Sequence, residues 1–219
     1  VRRGGTCCWT GAGFGSYAAA RERGLQLEGR GNDVLHAQNA DVLIVVANTE
    51  SGLAAYAVEP SDDAVQIEAL PTLDRTLRIA SVRFSGASAK QINATRPVWE
   101  AVSQALNLAL VALAGEQAGG AKKVLDFTVE YAKTRIQFGR QIGSFQAIKH
   151  MAADLLVETE SAISAARHAA SSLADPSSHT DEAISLAAFA CADAFVRTAA
   201  DGVQMHGGIG MTDEYEIGF

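Results

Sequence analysis

The sequence predicts an α+β chain, a small antiparallel β-sheet or barrel followed by an up-down helical bundle. Three observations carry that prediction. Residues 25–84 break into short strand-like pieces. From residue 98 onward apolar residues recur at three- and four-residue steps, the spacing of helices with one buried face. Between the two textures lies Asn93-Ala94-Thr95-Arg96-Pro97, whose proline suits the first turn of a helix, where its missing N–H would be unpaired anyway. The expected domains are residues 1–92 and 97–219.

Each element has its own justification. Asp41–Val46 is a compact apolar run, Thr49-Glu50-Ser51-Gly52 is turn chemistry, and Leu53–Val58 continues beyond it, so a hairpin is predicted. Val65-Gln66-Ile67-Glu68 and Ile79–Phe84 alternate apolar and polar residues, as half-buried strands do. Upstream, Gly11, Gly13 and Gly15 form a glycine run without strand–helix context, so a dinucleotide-binding fingerprint is not read there.

A first long helix is predicted over Val98–Thr134, with Val102, Leu106, Leu110, Leu113, Val124, Phe127 and Tyr131 on its apolar side. Gly115, Gly119 and Gly120 lie inside it, and each weakens a helix by about 1 kcal/mol relative to Ala. Close approach of a neighbouring helix or a cofactor is the expected reason. A second helix is predicted from about residue 145 to 172, stopping before Asp175-Pro176, and a third from about 181 to 205. Long rods with short links make an up-down bundle.

Bulk properties narrow the function. A net charge of −7 argues against a nucleic-acid groove, which needs a basic stripe. Three cysteines, of which Cys7 and Cys8 are adjacent, give no disulfide framework and fit a reducing, cytoplasmic setting. The apolar stretch Leu106–Ala114 is too short to span a bilayer, and Arg2 and Arg3 precede no signal-like run, so no membrane partner is expected. His150, Asp154 and Glu158 fall at four-residue steps, but no Glu-x-x-His pair accompanies them. That face is expected to be solvated or salt-bridged, with no metal.

Between the first two rods, Arg135–Gln146 reads Arg-Ile-Gln-Phe-Gly-Arg-Gln-Ile-Gly-Ser-Phe-Gln. Gly139 and Gly143 break the helix, and Ser144 is predicted to cap the next one. A guanidinium, an aromatic ring, a side-chain amide and a helix N-terminus in a dozen residues suit a phosphate or pyrophosphate. By spacing alone, a plain interhelical turn with a solvated Arg fits as well. His206, beside Gly207 and Gly208, reads as a loop residue rather than a catalyst.

Arg135-x-x-Phe138-Gly139, with Gln146 eleven residues after the Arg, resembles the flavin-contacting turn of acyl-CoA dehydrogenases. Gln204-Met-His-Gly207-Gly208-Ile-Gly210, followed by Thr212 and Glu214-Tyr215, is similar to the Gln-x-x-Gly-Gly-x-Gly segment of the same family. The likeness covers most of the chain and is strongest from Val98. It implies a middle β domain and a C-terminal α domain, with the family's N-terminal helical domain and extreme C-terminus missing. It also implies FAD, an acyl-CoA substrate dehydrogenated to a 2-enoyl-CoA, and an electron-transfer flavoprotein as acceptor.

Under that resemblance Arg135 would hold the FAD pyrophosphate and Phe138 would pack on the cofactor. Gln146, Gln204 and Gly208, with Gly207 in the same turn, would bind the adenosine–ribityl part. In the family these groups reach the FAD of a neighbouring subunit, which implies a homodimer or tetramer, or a hetero-oligomer with a related subunit.

The departures are specific. The family's Thr-Glu-Pro…Gly-Ser-Asp segment is replaced by Thr10–Tyr17, where only the pair Gly15-Ser16 survives. A Trp-x-Thr pair is replaced by Val34-Leu35-His36, and His36 is either a flavin donor or a merely exposed strand residue. The usual glutamate base lies beyond the Gly-Gly segment, and Ala101–Gly115 contains no carboxylate. Glu100, Glu116 and Glu216 remain as candidates. The alternatives are a non-catalytic partner subunit contributing FAD contacts, or a flavin oxidase or monooxygenase on the same scaffold.

Overall fold

The computed structural model describes residues 5–8, 26–49, 52–74, 76–93, 95–212 and 215–218. The glycine run at 11–15, the Gly15-Ser16 pair and Glu214 lie outside them. The chain divides into two compact units, Val1–Ser103 and Gln104–Phe219, and the division falls inside the first long helix.

The first unit is a six-stranded sheet with strands β1 (Gly5–Cys8), β2 (Gln26–Leu35), β3 (Val42–Thr49), β4 (Gly52–Val58), β5 (Val65–Leu70) and β6 (Ile79–Ile92). The path is β1-β3-β4-β6-β2, with β5 also on β6. β6 organises the unit. Its Ile79–Phe84 half lies between β2 and β5, and its Ala89–Ile92 end pairs with β4. Leu27 pairs with Ala87 and Glu28 with Ser85, leaving Gly86 as the extra residue of a bulge. Its φ of 79° belongs to the left-handed region that glycine enters cheaply, so β6 can turn from one set of partners to the other. Leu27, Val34, Leu43, Val45, Tyr56, Val58, Val82 and Phe84 form the core.

The expected hairpin joins β3 to β4, with Thr49 opposite Gly52 and the Thr49 hydroxyl donating to the Gly52 carbonyl (2.8 Å). The predicted antiparallel pairing holds for β2 to β6, and β1, ahead of them, adds a strand parallel to β3. One expectation needs correction. His36 is not a strand residue: β2 ends at Leu35, and His36 is exposed with φ 55°, its backbone N–H donating to the Arg78 carbonyl (2.7 Å). Histidine tolerates that conformation better than β-branched residues do.

The second unit is built on α1 (Val98–Thr134), α2 (Gln146–Ala174) and α3 (Thr180–His206). Ala114 and Ala118 of α1 pack with Ala162, Ala166 and Ala169 of α2 and with Ile184, Ala187 and Cys191 of α3. Further along α1, Leu125 packs with Leu155 and Met205. Partner numbers fall on α2 and rise on α3 as α1 advances, so α2 is antiparallel and α3 parallel to α1. Alanine-lined contacts let the helices approach closely.

Close approach explains one of the three α1 glycines. A Cβ on Gly120 would lie 2.7 Å from the Phe195 ring, whereas one on Gly115 or Gly119 would meet nothing within 4 Å. By length and composition α1 and Thr180–Met211 could each cross a membrane. The reading that the apolar stretch is too short therefore fails on length, since α1 runs for 37 residues. Only 11% of its most apolar window is buried within the chain, leaving Leu108 and Leu113 exposed.

Candidate functional site

The C-terminus of α1, the N-terminus of α2 and the C-terminus of α3 meet at one end of the bundle, and the six predicted cofactor contacts all belong to those segments. Arg135 follows α1, its N–H bonded to the Tyr131 carbonyl (2.9 Å), and its own carbonyl accepts from Ile142 N–H (2.9 Å). These bonds launch a minimal hairpin, β7 (Ile136–Gln137) against β8 (Arg140–Gln141). Its two turn residues, Phe138 and Gly139, have φ of 53° and 78°, the signature of a twist-compatible two-residue turn. Phe138 is 92% exposed. A bulky residue held left-handed with its ring in water is a costly arrangement.

The Ser144 expectation is corrected here. Its hydroxyl donates to the Gln141 carbonyl (2.6 Å) inside a short 3-10 turn, Ile142–Ser144. The residue preceding α2 is Phe145, which makes no side-chain capping bond, so the first N–H groups of α2 have no side-chain cap. Gly143 is required, since a Cβ there would lie 2.9 Å from the Ala132 carbonyl oxygen.

One contributor escaped the sequence reading. The Arg140 guanidinium stacks 3.9 Å over the Phe145 ring, which in turn meets Phe138 edge-to-face at 6.2 Å. Stacking uses the guanidinium face and leaves its N–H edge free. Among the described residues no carboxylate pairs with Arg135 or Arg140, and residues 135–149 contain none. Gln146 is exposed, with its amide 3.0 Å from the His150 ring nitrogen.

At the end of α3, Gln204 is exposed and Gly207 (φ 65°) terminates the helix. A Cβ on Gly207 or Gly208 would meet nothing within 4 Å, so this backbone is open to approach. His206 is not the loop residue expected. It is the last residue of α3 and 4% exposed. Its ring stacks on Tyr131 at 4.3 Å and lies 5.6 Å from Phe127 and 5.4 Å from Tyr215. Nδ1 lies 2.7 Å from the Gly202 carbonyl oxygen, while Nε2 is buried without a partner. Phe127 and Tyr131, four apart at the end of α1, were the signal in the sequence for a ring between them and the double glycine.

The candidate bases are scattered. Glu100 opens α1 in the first unit, and Glu116 lies 19 residues before Arg135 on the same helix, about 28 Å at 1.5 Å per residue. Glu216 sits in a short turn whose neighbours Tyr215 and Ile217 pack on the end of α3. All three are exposed. Among the described residues no group of His, Cys, Asp and Glu could hold a metal, and Glu158 of the His150 face is ion-paired with Arg197.

The donor set fits the diphosphate half of a dinucleotide. It comprises two guanidiniums with no carboxylate partner among the described residues, the amides of Gln146 and Gln204, an uncapped helix N-terminus and glycine backbone open to approach.

The family described as acyl-CoA dehydrogenase, C-terminal domain, matches residues 99–218. The acyl-CoA dehydrogenase IpdE2 of Mycolicibacterium smegmatis is 40% identical over 71% of this chain and 45% of its own length. Its namesake in Mycobacterium tuberculosis is 37% identical over 82% of this chain and 50% of its own length. The chain thus spans about half the length of these curated relatives. Among solved structures, the ChsE4–ChsE5 complex from Mycobacterium tuberculosis superposes with a TM-score of 0.85 at 29% identity, covering 99% of this chain and 59% of that one.

Proposed function

The chain belongs to the acyl-CoA dehydrogenase family of oxidoreductases, and from that premise we propose that it acts in FAD-dependent α,β-dehydrogenation of an acyl-CoA thioester. The observation that supports this most is the meeting of the Arg135 hairpin and the Gly207–Gly208 turn at one end of the bundle. FAD, when bound, supplies the acceptor for the hydride leaving the β carbon, and an electron-transfer flavoprotein is the proposed electron acceptor.

The chain's own part is to bind and orient. Arg135 would hold the diphosphate, and Arg140, stacked on Phe145, would add a second positive charge on the same hairpin. Gln146 and Gln204 donate amide hydrogens, and the glycine turn lets backbone N–H groups approach. Phe138 covers an apolar face of the ligand and keeps water from it. Proton removal from the α carbon is left to a carboxylate, for which Glu100, Glu116 and Glu216 are the candidates.

A second reading is favoured by the scattering of those carboxylates, by the uncovered apolar side of α1, and by the likeness to a chain of a two-component complex. Here the chain is a partner subunit whose hairpin serves the FAD of a related chain. The test is direct. Purified protein is assayed with acyl-CoA and a dye acceptor for enoyl-CoA, alone and mixed with a full-length relative. Turnover alone supports the first reading, and turnover only on mixing supports the second. No flavin and no turnover in either assay contradicts both.

A further inference from the structure

We propose that His206 is a positioning residue, whose stack on Tyr131 sets the distance between the Gly207–Gly208 turn and Arg135. The inference rests on the reading of those two segments as the grip on FAD. Three contacts make the link. The Arg135 N–H donates to the Tyr131 carbonyl (2.9 Å), rooting the hairpin on that residue. The Tyr131 hydroxyl donates to the His206 carbonyl (3.4 Å), and the two rings stack at 4.3 Å and 22°. Gly207 follows at once, with φ 65° and no side chain to hold it, so the turn takes its direction from His206.

The ring itself is locked. The Gly202 carbonyl can only accept, so Nδ1 carries the hydrogen of the 2.7 Å bond, and the buried Nε2 has no partner. The site therefore uses the flat face of the imidazole and one donor. Phenylalanine keeps the face and loses the donor; asparagine does the reverse. Phe127 and Tyr215 close the remaining sides, so the ring cannot swing without displacing three aromatics.

The experiment measures FAD affinity, by quenching of flavin fluorescence, for His206→Ala, His206→Phe and His206→Asn, each with and without Arg135→Ala. Thermal unfolding is recorded alongside. Positioning predicts that His206→Ala raises the FAD Kd about tenfold and that the two substitutions combine less than additively, because without the guanidinium there is no geometry left to spoil. Part of the affinity returns in His206→Phe, which also keeps a folded sample in hand should His206→Ala not fold. Fully additive effects, or a fall in Tm with unchanged FAD affinity, overturn the positioning role alone. If Arg135→Ala by itself leaves FAD affinity unchanged, the diphosphate reading falls and this inference with it.

Discussion

Gly202 shows how one missing methyl group fixes a helix contact. A Cβ there would lie 2.9 Å from Val124 Cγ1 and 3.2 Å from Thr128 Oγ1, both on β-branched side chains that a helix holds stiffly. Gly202→Ala gains about 1 kcal/mol of helix propensity but overpacks the contact by about 1–3 kcal/mol. A net loss of up to about 2 kcal/mol by urea denaturation is expected, and a stabilised variant would refute the packing account. Asp62 gives a pH dependence. Backbone N–H groups of Ala64 and Ser88 donate to its carboxylate and hold it below the ordinary 3.8. A carboxyl lowered on folding adds stability above its unfolded value, and that contribution is lost as pH falls through the folded one. Asp62→Asn should therefore melt lower than the parent at pH 7, with the gap closing as pH falls below the ordinary carboxylate value and through the lowered folded one. A gap independent of pH would show that the charge is not involved. At this scale the sequence was legible where a residue type has few uses. Arg135, Phe138 and the double glycine stand at one end of the bundle. Ser144 and His206 were misread because capping and burial depend on which neighbour arrives, and the neighbours come from other elements.

Elements were legible in proportion to their periodicity. α1 has its predicted bounds, and the other two helices end within two residues of expectation. The parallel β1–β3 pair could not be read, because partner choice leaves no periodic trace within either strand. The glycines of α1 divide by function. Gly120 makes room for Phe195, while Gly115 and Gly119 face open space beside Ala118, Ile163 and Arg167. Gly119→Ala should stabilise the isolated chain by up to about 1 kcal/mol, read as a rise in Tm. A fall in Tm would show that something packs on that face in solution. The hairpin gives a second test. Gly139 at φ 78° suits glycine, so Gly139→Val strains the turn that aims Phe138. FAD affinity should drop several-fold while global Tm changes little, the hairpin being exposed; unchanged affinity would remove Phe138 and its turn from the site.

For the whole molecule, the question is what covers the apolar residues that one chain leaves in water. Leu108 and Leu113 on α1, and Phe189 and Val196 on α3, are exposed. Surfaces of that kind mark partners. Sedimentation is expected to show a dimer or larger, and a strictly monomeric chain at micromolar concentration would leave the proposed cross-subunit use of Arg135 without a recipient. The central claim is that one end of the bundle grips a diphosphate. Its most direct test titrates FAD and riboflavin, which lacks the diphosphate, into the parent protein and Arg135→Ala, following flavin fluorescence. The parent should bind FAD far more tightly than riboflavin, and Arg135→Ala should erase most of that difference. Equal affinity of the parent for both ligands, or an unchanged preference in Arg135→Ala, would contradict the claim.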